Sequence, residues 1–189
     1  MAPPERLDSI LTEMRIYGHP TYWSSTPTVC LSESDSRGVA SLLKHGWAPW
    51  GIVLARQWVW DQGGGPVWYV RNDRYQKVQA ALDEDARTWL VRTEPDTSDW
   101  MHEREWRIPT SPDADYVDLS LDDGPVAVLV ADRDWGPQHV HTMDISPYTG
   151  DIAQVLQVPA EHRLPRWFWN GSEIEVLEPV PDGTIYLDG

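Results

Sequence analysis

Two short runs, WGIVLA at residues 50–55 and VAVLV at residues 126–130, carry no polar side chain at any position. Side chains of a strand alternate between its two faces, so runs of this kind need cover on both sides. A chain holding them must bury them in layers, and helical periodicity supplies the covering pieces. Leu7, Ile10, Leu11 and Met14 recur at the spacing of one helix face and predict a helix over 5–16. Val78, Leu82 and Trp89, with Ala81 and Ala86 beside them, predict the longest helix over 73–91. A short helix through Val39, Leu42 and Leu43 can be capped by Ser34 or Asp35.

The remaining strands complete an antiparallel-rich pattern. Residues 22–28 read as a loop rich in Ser, Thr and Pro, and TVCLS at 28–32 as a short buried strand. The segment 50–60, WGIVLARQWVW, reads as one strand joined to PVWYV at 66–70 by a hairpin through Gly63, Gly64 and Gly65. A phosphate-cradling loop is the alternative, but no helix opens behind those glycines and no Lys-Ser or Lys-Thr follows. Further strands are expected at 115–119 and 126–132, and a turn-linked pair within 163–179. An acidic tail ends the chain, and residues 134–162 give no clear pattern. The expectation is an α+β protein, residues 1–189 forming a single domain with an antiparallel-rich central sheet flanked by two or three helices.

The stretch DWMHEREWRIP, residues 99–109, is the candidate site. Read as a strand, it puts Glu103, Glu105 and Arg107 on one face, with Arg104, Trp106 and Ile108 on the other. Two like charges side by side repel, which raises one pKa unless a cation such as Arg107 compensates. Such a pair serves general acid–base chemistry, docks a partner, or belongs to a cross-strand ion-pair ladder in which Arg104 and Arg107 anchor neighbouring carboxylates at a sheet edge.

Composition narrows the functional classes. Thirty acidic residues against fifteen Lys and Arg give a formal charge of -15, which opposes nonspecific binding to nucleic acid. A single cysteine, Cys30, excludes an intramolecular disulfide and reads as a buried structural thiol. His139 and His141 form a His-x-His pair with no third ligand at a diagnostic spacing, so no metal is assigned to them. Twelve tryptophans against one phenylalanine fill a core or line a ligand cleft, and Trp167 and Trp169 alternate with Phe168, which points some aromatic area outward. No apolar run approaches a membrane span and residues 1–11 lack a leader's apolar core, so a soluble, cytoplasmic protein is expected.

Three stretches in order, TVCLSES, APWGIVLARQWVWDQGGGPVWYV and WMHEREWRIP, resemble AbiGi-type proteins, the antitoxin half of an abortive phage-resistance pair. The resemblance covers about residues 5–135 and leaves 136–189 as a C-terminal extension. The strand reading approximately His-Phe-Thr with which AbiGi-like chains usually begin has no counterpart ahead of the first helix. What the resemblance implies is a phage-defence or toxin–antitoxin component acting through a protein partner, for instance a basic toxin face. Proteins of this type are in turn similar to the ADP-ribosyltransferase fold, which implies NAD as a ligand and a Glu-x-Glu site. On that likeness Glu105 is catalytic and Glu103 assists, while Ser32, Arg107 and Trp50 contact the nucleotide. A tryptophan-lined module that binds a sugar or nucleotide without turnover is the third expectation.

Overall fold

Helix α1 (Pro3–Glu13) forms on the predicted stripe, burying Leu7 and Leu11 one turn apart. It stops short of residue 16 because Met14 turns left-handed at φ 51°, and β1 (Arg15–Tyr17) follows at once. The coordinates are a computed structural model that describes residues 1–189 apart from 23, 98, 112, 120–123, 137–141, 146–151, 156–163 and 178–189. The His139/His141 pair and the acidic tail lie outside the described residues.

Next come β2 (His19–Thr21) and β3 (Ser24–Ser32), so the segment expected to be a loop is already strand from Ser24. Helix α2 (Ser36–Lys44) is capped by Asp35, whose carboxylate accepts from the Gly38 N–H at 2.8 Å. The run at 50–60 is not one strand: β4 (Gly51–Leu54) gives way to α3 (Arg56–Asp61). A strand would put Trp58 and Trp60 on one face, whereas the structure buries Trp58 and leaves Trp60 exposed. The Val59 N–H donates to the Ala55 carbonyl at 3.0 Å, and Gln57 bonds Asp61 one turn on.

The glycine hairpin is not formed either. Strand β5 (Gly65–Pro66) pairs with β8 (Glu105–Pro109), and β6 (Trp68–Arg71) runs parallel to β7 (Leu90–Thr93). Parallel neighbours need a crossover, supplied here by α4 (Asn72–Ala81) and α5 (Glu84–Arg87). The single helix expected over 73–91 is therefore two, broken where Leu82 is extended and Asp83 caps α5 by accepting from the Ala86 N–H at 2.8 Å. A Cβ on Gly64 would lie 2.6 Å from the Val59 carbonyl oxygen and 2.9 Å from Ile108, so this glycine is packed against protein and cradles nothing. Gly64→Ala is expected to cost about 1–3 kcal/mol by overpacking, read as a lower urea midpoint at unchanged slope.

The chain is completed by β9 (Tyr116–Asp118), β10 (Pro125–Val130), β11 (Thr142–Ile145), β12 (Ile152–Val155), β13 (Arg166–Trp169) and β14 (Ile174–Leu177). The fold class is mixed α+β and antiparallel-rich, as expected. Its residues gather into two compact units. A terminal unit comprises Met1–Glu13, Ala48–Val53 and Pro125–Gly189; a middle unit comprises Met14–Trp47 and Leu54–Gly124.

In the terminal unit the sheet order is β14-β13-β10-β4, with β13 and β14 the antiparallel pair predicted from sequence. Leu7, Leu11, Val128 and Val130 form its core, and Trp50, Ile52 and Phe168 pack against them. In the middle unit the sheet order is β2-β3-β8-β5, and β3 pairs antiparallel with β8, Ser32 facing Glu105 and Cys30 facing Arg107. Directly opposed residues share a face, so Cys30, Ser32, Glu105 and Arg107 line one side of that sheet. No helix among the described residues is long and apolar enough to cross a membrane.

Candidate functional site

The acidic pair does not arise from one continuous strand. Residues Met101–Glu103 make a 3-10 turn, Arg104 takes a left-handed conformation at φ 46°, and β8 begins only at Glu105. A non-glycine residue in that region costs about 1–3 kcal/mol and persists where its surroundings fix it. Glu33 fixes it here: its N–H donates to the Arg104 carbonyl at 3.1 Å and its carboxylate meets the Arg104 guanidinium at 3.0 Å. That carboxylate also pairs with Arg56 at 3.2 Å and accepts from the Trp106 indole at 3.2 Å, on the face opposite the acidic pair. The kink thus replaces strand alternation as the reason Glu103 and Glu105 come together.

Both glutamates line a cleft of about 290 Å³ in the middle unit. Leu90, Val91 and Arg107 supply its inner wall, while Tyr22, Arg92 and Trp100 also line it. Tyr22 is 93% exposed and Trp100 46%, so both present ring area to solvent at the cleft. Ligand pockets usually begin near 300 Å³, so the space suits one nucleoside or one sugar with its ring, and a larger molecule would extend out of it.

Arg107 is committed to the fold. Its Nε donates to Glu105 Oε1 at 2.8 Å, and its NH1 reaches the carbonyls of Thr88 and, at 3.4 Å, Leu90. The two side chains are only 9% and 13% exposed. Arg107 does anchor a carboxylate, but the pair lies within one strand and inside the sheet, between β3 and β5, not across strands at a sheet edge. Glu105 is held from its backbone too, its N–H donating to the Tyr69 hydroxyl at 2.9 Å, and that hydroxyl donates to the Trp100 carbonyl at 3.3 Å. Partial burial pushes the Tyr69 phenol up, with the Glu105 and Glu103 carboxylates adding to the rise while its bond to the Glu105 backbone opposes it.

Glu103 is different. Among the described residues no cation lies within ion-pair distance of it, and its carboxyl is raised, chiefly by desolvation and further by Glu105, while His102 opposes the shift. An acid whose folded pKa exceeds its unfolded value adds stability that is full below the unfolded pKa and is lost as pH rises through the folded one. At neutral pH the ionised carboxylate is therefore a cost. Glu103→Gln is expected to raise the thermal midpoint at pH 7, with the gain shrinking on acidification; a lower midpoint at pH 7 contradicts this.

The other expected site residues are placed as follows. Ser32 stands opposite Glu105, but its hydroxyl donates to the Glu103 carbonyl at 2.5 Å and shares a 3.0 Å bond with Ser34, so it positions the turn. Trp50 is not brought to the cleft; it belongs to the terminal unit, edge-on to Trp135 at 5.7 Å. Cys30 is exposed, not buried as expected, although Arg107 opposite it on the same side of the sheet is buried. Desolvation of the sulfur and then the Glu105 carboxylate push its thiol up to about 11, so it is no nucleophile at neutral pH. Tyr22, Tyr69, Arg92 and Trp100 were not singled out from the sequence. Trp100 alone carried a signal, standing inside the charged stretch three residues before Glu103.

Among the described residues no three His, Cys, Asp or Glu side chains are grouped to hold a metal ion. No protein-family model matches the chain, and neither a curated protein nor a solved structure matches it.

Proposed function

We propose that the middle unit binds a ribosylated nucleotide at the cleft, with NAD as the ligand that the transferase likeness implies. One observation carries this reading: two exposed aromatic rings, Tyr22 and Trp100, share a cleft with two carboxylates, one of them held by no cation among the described residues. Aromatic faces stack on a base or a nicotinamide ring, and carboxylates accept from sugar hydroxyls. Arg92 is exposed on the same wall and suits a phosphate at the point where a dinucleotide leaves the cleft.

When bound, NAD supplies an activated glycosidic bond. Glu105, held in place by its pair with Arg107, stabilises positive charge developing on the sugar. Glu103, with its raised pKa, is the better proton acceptor and activates the incoming nucleophile. A thermal-shift series with NAD and nicotinamide, joined to an assay for released nicotinamide, tests this. NAD is expected to raise the midpoint of the wild type and much less that of Glu103→Gln. A midpoint indifferent to NAD removes the reading.

The second reading is the AbiGi-type defence component acting through a protein partner. The consecutive exposed residues Trp100 and Met101 favour it, as does the -15 charge, which suits a basic partner face. Retention of a neighbouring gene product by wild type and its loss in Trp100→Asp is the result expected on that reading.

A further inference from the structure

His45 and His102 come from segments 57 positions apart, yet their rings lie 5.7 Å apart between centroids at an angle of 37°. His45 is the residue that closes α2, and His102 sits in the 3-10 turn just before Glu103. Each ring is tied down by the same nitrogen. His45 Nδ1 is 2.7 Å from the Ser41 carbonyl oxygen, and His102 Nδ1 is 2.9 Å from that of Asp99. A carbonyl oxygen can only accept, so both Nδ1 atoms carry hydrogen, and the lone pair of each neutral imidazole is on Nε2.

We propose that His45 and His102 form a two-imidazole site for a borderline divalent transition metal such as zinc, nickel or copper, with water filling the other positions. Protein zinc and copper sites share this design, in which one ring nitrogen binds the ion while the other donates to a carbonyl that fixes tautomer and orientation. The spacing fits. Two imidazoles sharing one ion at a metal–nitrogen distance of about 2.0–2.1 Å have centroids roughly 5 to 6.5 Å apart, across coordination angles from tetrahedral to linear. Both residues are exposed, so the ion needs no opening of the fold to enter. Imidazole pairs without thiolate or further carboxylate ligands follow the ordinary affinity order, with copper above nickel and zinc. The site stands apart from the nucleotide reading, although an ion there would place positive charge next to Glu103.

The test uses the whole tag-free chain with His139 and His141 replaced by alanine, which removes the other closely spaced imidazoles of the sequence. Zinc chloride is titrated calorimetrically into this protein and into the same protein with His45→Ala or His102→Ala. One ion per chain is expected, with each alanine weakening it at least about tenfold, since losing a ligand costs no less than losing an outer-shell partner. Copper(II) bound to the same protein is expected to show two equatorial imidazole nitrogens by electron paramagnetic resonance. Zinc affinity that is absent, or equal in all three proteins, overturns the proposal, as does a copper spectrum with one nitrogen or none. Circular dichroism matching the parent secures the comparison for His45→Ala, whose Nδ1 bond ends a helix.

Discussion

Arg107→Ala is expected to lower the folding free energy by about 3–5 kcal/mol, the largest loss for any single change near the cleft. The guanidinium answers three acceptors at once: the Glu105 carboxylate and the carbonyls of Thr88 and Leu90. Thr88 is fully buried, and its own hydroxyl is already bonded to Ser24 at 2.8 Å, so that hydroxyl is not free to replace the guanidinium. Removing the arginine leaves a poorly hydrated carboxylate and two carbonyls without their donor. Urea denaturation followed by circular dichroism reads the loss directly. Replacing both partners by apolar residues, Glu105→Leu with Arg107→Met, is expected to cost less than Arg107→Ala alone, because no orphan charge remains. A double variant less stable than the single one would mean that the guanidinium's value lies elsewhere than in this pair.

Trp106→Ala is expected to cost a similar amount, about 3–5 kcal/mol, on the other face of the same strand. The ring is 6% exposed, lies edge-on to Trp60 at 6.4 Å and under the Arg56 guanidinium at 5.5 Å, and donates its indole N–H to Glu33. Alanine empties that volume and removes one donor from the carboxylate that holds Arg104 left-handed. Trp106→Phe keeps most of the ring and loses the N–H, so about 1–2 kcal/mol is expected. If phenylalanine and alanine cost the same, the ring's packing is not what matters and the hydrogen bond to Glu33 carries the whole effect.

The two faces of β8 were legible because alternation is a property of the residues themselves: Glu105 and Arg107 against Trp106 and Ile108. The pattern was also misleading by one step. Charge alternates smoothly through Glu103, yet the chain turns at Arg104, and no residue type there marks a left-handed conformation as glycine or asparagine would. What holds the kink is Glu33, some seventy positions earlier, a tertiary partner that local pattern does not contain. The same limit explains the run at 50–60. Tryptophan–valine–tryptophan at 58–60 is as apolar as a strand covered on both faces, and only the structure, with the Val59 N–H bonded to the Ala55 carbonyl and Trp60 exposed, reveals the helix. The parallel pairing of β6 with β7 was hidden for a related reason, since a nearer strand-like run offered a simpler hairpin. The break before α5 was missed from the sequence although Asp83, a residue type that caps helices, stands in the middle of the single helix expected there. Trp50 was assigned to the nucleotide on the transferase likeness, and the contacts gather it into a different unit.

The central claim is that the Glu103 side of the middle unit is a binding surface for a nucleotide, kept charged at some cost to stability. Titration calorimetry of NAD into the wild-type chain, Glu103→Gln and Trp100→Ala addresses it most directly. A lost charge-assisted hydrogen bond or a lost stacking contact each amounts to about 1–3 kcal/mol, so saturable binding by the wild type and affinities at least about tenfold weaker in both variants are predicted. No saturable heat in the wild type, or equal affinity in all three, would contradict the account.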